Sequence, residues 1–421
     1  MGNMSNSVSV TEAIQIILQN TKIIDTEIIP IENGLNRLIS EDIFAKYALP
    51  NFDNSAMDGY AGSIIDAGKK VKVIDRILAG DDNDTQLESE TVIKVMTGAK
   101  IPSNTSLVIP FEDIPETDEV LESDEIILPN NLQMNKNIRR KGEDITENEL
   151  LIEKGDKLDN YKIGLLASQG ITHVTVFKKI KATVISTGSE LKPHHEKLEG
   201  SQIYNSNTPM LFHKLQDLGA DTQFLSIAKD NEIEIQETIT SALNSDLIVT
   251  SGGVSIGEAD FTKKVFKNLG MKIIFEKIEI KPGKPTTFGY ISAFNDAKRI
   301  YILNLPGNPS AAMINFEIFG KTLFWKLAGV KNYFLKSITT QIEQNFKTKG
   351  GRTTVVLGFW NGKYFRPAIK QAPGMVSSLT KSNGFIVLDQ SVSSLRSGDE
   401  VLFVPMSFEL NGEFFDNFLT M

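Results

Sequence analysis

Three lysines fall within eight positions in Glu276-Lys277-Ile278-Glu279-Ile280-Lys281-Pro282-Gly283-Lys284-Pro285. Two prolines and a glycine turn and stiffen the chain around Lys281 and Lys284. A lysine on a pinned turn can form a fixed cationic pocket for an oxyanion, whereas one on free chain cannot. The plainer reading is a solvated basic turn. A second segment, Ser251-Gly252-Gly253-Val254-Ser255-Ile256-Gly257-Glu258-Ala259-Asp260, follows the apolar run DLIVT. Gly252, Gly253 and Gly257 let the backbone approach a ligand and aim N–H groups at phosphate oxygens. The helix expected after Asp260 adds its positive end. Asp260 could hold a divalent cation bridging those phosphates, together with Glu190 of Ser186-Thr187-Gly188-Ser189-Glu190. Leu305-Pro306-Gly307-Asn308-Pro309-Ser310 is a third loop after a strand-like run. Taken singly, a Gly-rich loop reads as readily as a tight turn with an acidic N-cap.

Other candidates are weaker. Arg352 follows Gly351 and could grip an oxyanion bidentately. Lys136, Arg139, Arg140 and Lys141 form a basic cluster, but Glu143 and Asp144 follow at once, so simple surface pairing is an alternative. Asn54-Ser55-Ala56-Met57-Asp58-Gly59-Tyr60-Ala61 reads as a turn of small residues offering Asp58. The pair His194-His195 reads as exposed loop. Neither GxxxxGK[ST] nor GxGxxG occurs, which disfavours ordinary P-loop and dinucleotide-binding readings.

These loops need elements to position them. From about residue 180, strand-like runs (KATVIST, TQFLSIA, DLIVTSG, RIYILNL) alternate with helical ones (TPMLFHKLQDLG, EIEIQETITSALN, DFTKKVFKNLG). That alternation predicts a doubly wound α/β domain with a mostly parallel sheet. Its ligands bind at the carboxyl ends of the strands, where the three loops fall. A long helix is expected over about 309–328. Residues 9–20 predict an amphipathic helix capped by Ser9 or Thr11, with Ile14, Ile17 and Leu18 on one face. A further helical stretch starts near 161 and ends near Gly170. Short β-branched runs broken by Gly, Pro, Asn and Asp over 60–130 predict a small β domain, and similar runs after 330 a C-terminal one.

Composition sets the outer limits. The chain has 421 residues, 41% hydrophobic and 23% charged, an ordinary globular profile of roughly three domains. The net charge of −9 argues against coating nucleic acid. Residues 81–125 alone carry a local net of −11, so the rest is not acidic and can hold an anion. There is no cysteine, which excludes disulfides, Cys-ligated metal, a thiol nucleophile and a persulfide carrier. Only four histidines are present, which disfavours imidazole-rich metal sites. No apolar run is long enough to span a bilayer and no signal peptide is evident, so a cytoplasmic protein is expected.

NSAMDGYA, MTGA, IRRKGEDI, STGSEL, SGGVSIGEADF, KPGKP, LPGNPSA and GRT occur in this order across nearly the whole chain. Together they resemble the molybdopterin molybdenumtransferase family, the bacterial MoeA proteins and the E domain of gephyrin. The resemblance implies an enzyme that inserts molybdate into adenylylated molybdopterin, releases AMP and forms molybdenum cofactor, with Mg²⁺. It implies a homodimer of elongated, multidomain α/β and β subunits, with the active site between subunits. The implied domains are a discontinuous N-terminal domain (1–50 plus 145–178), an inserted β-rich domain (51–144), an α/β molybdopterin-binding domain (179–328) and a C-terminal β-barrel-like domain (329–421).

By matching position, Asp58 resembles the functional carboxylate of SAMDGYA, and Thr97 and Asp144 resemble further residues facing the cleft. Glu190, Asp230 and Asp260 match acidic positions around nucleotide and metal. Ser251, Gly252, Gly253 and Pro306 match the substrate loops. Lys277, Lys281 and Lys284 match the basic strand and turn, and Lys281, Lys284 and Arg352 resemble the molybdate pocket. Three departures stand out: Ser189 where the family often has aspartate, Asn205 where IYDSN is usual, and Ala372-Pro373 near Ser377 and Ser378. The last leaves a serine contact to molybdate open. The implied partners are molybdopterin adenylyltransferase and molybdoenzyme apoproteins or cofactor carriers, with no nucleic acid and no membrane. Alternatives at this point are the adenylyltransferase or a nicotinamide-nucleotide deamidase relative, a scaffold protein, and a paralogue handling tungstate.

Overall fold

A computed structural model describes residues 7–82, 85–114, 124–225, 232–252, 259–292 and 298–407, without the side chains of 232 and 259–261. The chain divides into two compact units. One comprises Met1–Ser40, Gly155–Asn160 and His173–Met421, and the other Glu41–Lys154 and Tyr161–Thr172.

The larger unit is built on a six-stranded sheet. In order across the sheet its strands are Asp221–Leu225, Lys181–Ser186, Leu247–Ser251, Arg299–Leu305, Thr287–Ser292 and Lys272–Phe275. The first four run parallel, as the strand–helix alternation requires. The last two form an antiparallel edge that the sequence pattern does not announce. Alternate side chains feed two cores. Ala182, Val184, Leu247, Val249, Leu303 and Leu305 pack on one face with the helices Val10–Asn20, Asn207–Asp217 and Pro309–Asn315. Ile185, Ile248 and Ile302 pack on the other against Ile235 and Ile239 of Glu232–Ser241 and Val265 and Phe266 of Ala259–Asn268. A sheet buried on both faces explains strands that read as continuous apolar runs.

Helix Val10–Asn20 starts with a capping box: Ser9 Oγ accepts from Glu12 N–H, and Glu12 accepts from Ser9 N–H. Its inward face is Ala13 and Ile17, with Ile14 and Leu18 half-buried. The expected helix over 309–328 is continuous but contains a π-helical turn, Phe316–Gly320, and ends at left-handed Gly329. Beyond it, five strands close into a barrel: Thr353–Trp360, Tyr364–Pro367, Ile338–Ile342, Glu400–Pro405 and Gly384–Leu388, the last pairing back onto the first. Ile280–Lys281 adds to it in parallel beside Thr353–Trp360. Val355, Leu357 and Phe385 of the barrel belong to the same core as the α/β sheet, so the two share packing.

The smaller unit centres on a five-stranded sheet ordered Leu107–Pro110, Gly59–Gly62, Thr91–Val95, Lys70–Ile77, Glu125–Ile127. Tyr60, Val92, Leu107 and Ile109 face one core, and Ala61, Ile93, Val95 and Val108 the other. Among the described residues, no helix is long and apolar enough to cross a membrane.

Candidate active site

In the larger unit, the loops after Lys181–Ser186, Leu247–Ser251 and Arg299–Leu305 meet at the carboxyl ends of adjacent parallel strands. They line a cavity of about 910 Å³, together with Lys277, Lys284 and Pro285. Glu190, Ser251, Gly252, Lys277, Lys284 and Pro306 therefore line one cavity. Gly252 has φ +95°, and a Cβ there would lie 2.4 Å from Thr187 O, so no other residue fits this turn. Asn207 ties two loops: its Nδ2 donates to Ser251 Oγ and to Gly307 O, both at 2.7 Å. Among the described residues of the lining, Thr187 Oγ1, Asn207 Oδ1 and Thr262 Oγ1 are buried without a hydrogen-bond partner.

The lysine turn is held from several sides. Ile278 N–H donates to Lys284 O at 2.9 Å, closing the turn. Asn315, fully buried, donates from Nδ2 to Gly283 O at 2.7 Å and to Thr286 Oγ1 at 2.5 Å. Gly283 has φ +107°, and a Cβ there would meet Asn315 at 2.3 Å. Sequence reasoning missed Asn315, which lies on a helix 32 residues away and carries no local signal. Lys281 lines a second cavity of about 520 Å³ with Lys347 and Lys349, so the expected set of Lys281, Lys284 and Arg352 is not gathered on one lining, and Arg352 is on neither. Arg352 lies at the start of the strand that pairs with Ile280–Lys281. Ser378 is taken up structurally, its Oγ donating to Lys370 O at 2.5 Å, while Ser377 is exposed.

In the smaller unit, strand pairing gathers SAMDGYA, MTGA and IRRKGEDI. Asn54–Ser55 pairs with Ile138–Arg139, Asn54 bridges to Lys100, and Gly98 N–H donates to Ser55 O at 2.8 Å. Asp58 is exposed, and its Oδ1 accepts from Thr97 N–H at 2.7 Å and Thr97 Oγ1 at 2.8 Å. Those bonds hold the Asp58 carboxyl below its usual range. Gly59 is forced by close packing, since a Cβ would lie 2.1 Å from Ile109 O. Asp144 and Arg139 line a shallow depression with Pro50, Asn54 and Glu143. The basic cluster pairs in part: Arg140 binds Asp53 and Asn135, and Lys136 lies 3.3 Å from Asp113. Asp230 and Gly253 lie outside the described residues, as does the side chain of Asp260. Among the described residues, no group of three or more His, Asp or Glu could hold a metal.

Fold and site define an α/β protein with a polar pocket at its strand ends, a braced cationic turn beside it and an attached barrel. Three family models match in sequence: MoeA N-terminal region (domain I and II) over residues 8–170, probable molybdopterin binding domain over 183–325, and MoeA C-terminal region (domain IV) over 340–406. A molybdopterin molybdenumtransferase of Haemophilus influenzae is 34% identical over 395 residues, covering 91% of this chain and 94% of the relative. One from Staphylococcus aureus is 32% identical, covering 90% and 93%. Two solved structures of the molybdopterin biosynthesis MoeA protein of Pyrococcus horikoshii match with TM-scores of 0.82 and 0.80 at 29% and 26% identity. They cover 96% and 95% of this chain, and the match spans the whole of each relative. The chain belongs to the molybdopterin molybdenumtransferase (MoeA) family.

Proposed function

We propose that this chain inserts molybdate into adenylylated molybdopterin, releasing AMP and forming molybdenum cofactor. Family membership makes it a transferase of molybdenum cofactor biosynthesis. The observation that carries the substrate assignment is the cavity itself. One space gathers a glycine loop, Lys277 and Lys284, the chemistry a phosphate-bearing polar substrate needs.

In this reading Ser251, Gly252 and Pro306, with Gly253, seat the nucleotide end of the substrate. Lys281, Lys284 and Arg352 hold the molybdate dianion, and Lys277 balances phosphate charge. Mg²⁺ fits a site of this kind only in part from the described residues. Glu190 is on the cavity and supplies one carboxylate, whereas Mg²⁺ takes one or two carboxylates plus substrate phosphates. Glu190, with Asp260, would hold it, and it would neutralise phosphate charge. Asp58, oriented by Thr97, moves protons as oxide leaves molybdate, with Asp144 as a second carboxylate of that step and Asp230 at the nucleotide.

The active form is a homodimer whose site is completed by two subunits, working in the cytoplasm between an adenylyltransferase and apoprotein or carrier acceptors. The absence of cysteine fits this step, because both sulfur ligands of the metal come from the substrate dithiolene. The test is turnover of purified protein with adenylylated molybdopterin, Mg²⁺ and molybdate. AMP release that depends on molybdate is expected; no release from intact, folded protein would refute the reading.

A further inference from the structure

Glu279 stands inside the cationic segment. Its N–H donates to Val8 O at 2.8 Å, next to the parallel pairing of Ser7–Val8 with Lys277–Ile278. Ser7 Oγ donates to the Glu279 carboxylate. Lys284 Nζ lies 3.6 Å from Glu279 Oε1. On the other side, Ile280 pairs in parallel with Thr353, so Glu279 and Arg352, each one residue earlier, are register neighbours. The Ser7 hydrogen bond above all, then the charges of Lys284 and Arg352, hold the Glu279 carboxyl below its usual range. A charged carboxylate therefore sits among the cations assigned to the oxyanion.

We propose that Glu279 is an internal counter-anion that sets how tightly this pocket holds an oxyanion. The inference rests on the reading of Lys281, Lys284 and Arg352 as the oxyanion site. In the free protein, Lys284 and Arg352 repel each other, and Glu279 draws both toward one place. When an oxyanion arrives, the same carboxylate repels it in proportion to the ligand's charge. A dianion is penalised about twice as much as a monoanion of the same shape. The pocket thus stays ordered when free yet releases its anion readily, which suits a site that must pass the anion on rather than store it. The N-terminal strand takes part, because Ser7 and Val8 fix where the carboxylate stands.

Calorimetric titration of molybdate and of perrhenate, a monovalent tetrahedral oxyanion, tests this on the full chain. The wild type, Glu279→Gln and Glu279→Ala are compared, with Lys281→Ala as the site control and melting curves to confirm folding. Both Glu279 variants should bind molybdate about fivefold more tightly and perrhenate about twofold more tightly. Unchanged or weaker molybdate binding in both, while wild-type binding remains sensitive to Lys281→Ala, overturns the proposal and leaves the oxyanion site standing. Equal tightening for both anions overturns it too, since charge repulsion must scale with ligand charge. Wild-type binding that Lys281→Ala does not weaken overturns the oxyanion reading itself, and the proposal with it.

Discussion

At the scale of single residues, the Asp58–Thr97 pair has a definite pH consequence. The two hydrogen bonds from Thr97 favour the ionised carboxylate, so its folded-state pKa is depressed. A depressed carboxyl stabilises the fold above its unfolded pKa, and that contribution is lost as pH falls through the folded value. Activity that needs ionised Asp58 should fade in the same acidic window. Thr97→Ala removes the side-chain bond, so the acid limb of AMP release should move to higher pH. Asp58→Asn should lower turnover about 10²-fold while AMP still raises the melting temperature. An acid limb unmoved in Thr97→Ala would mean another group titrates there. Composition and spacing made Asp58 legible only as a carboxylate on a turn, and the resemblance of SAMDGYA and MTGA singled out Asp58 and Thr97 without showing that they touch. Thr97 lies 39 residues away, and pairing through Ser55 and Gly98 brings it close; spacing alone does not show that.

At the scale of elements, the three loops over the main cavity were readable because each follows an apolar run and opens with small or turn-forming residues. The antiparallel edge Thr287–Ser292 and Lys272–Phe275 was not, since nearby prolines and glycines blur any strand period. The brace on the lysine turn was equally hidden, because it is an Asn inside an apolar helical stretch. Removing it gives a direct expectation. Asn315→Ala leaves Gly283 O and Thr286 Oγ1 each short of one hydrogen bond, which should cost about 1–3 kcal/mol by urea unfolding. Molybdate binding should weaken as the turn loosens. Full stability with weakened binding would show the brace to be local, and full affinity would show that Lys281 and Lys284 need no support from the helix.

At the scale of the whole molecule, the proposed two-subunit site predicts complementation. An Asp58→Asn chain and a Lys284→Ala chain should each be nearly inactive. Unfolded together and refolded as an equal mixture, they should recover about one quarter of wild-type turnover, since half the dimers then carry one intact site. No recovery, with dimers formed, would place both residues in a site within one subunit. Ordered motifs across most of the chain made the family legible, whereas no sequence pattern showed that the lysine turn also supplies a strand to the barrel. Ile280–Lys281 is that strand. Transient loss of this pairing would therefore free Lys281, one wall of the proposed oxyanion pocket, without breaking a strand pair of the parallel sheet. The lifetime of the anion-ready geometry is thus tied to fluctuations of the barrel. Drift in barrel residues far from any ligand can therefore change catalytic output while every lining residue stays the same.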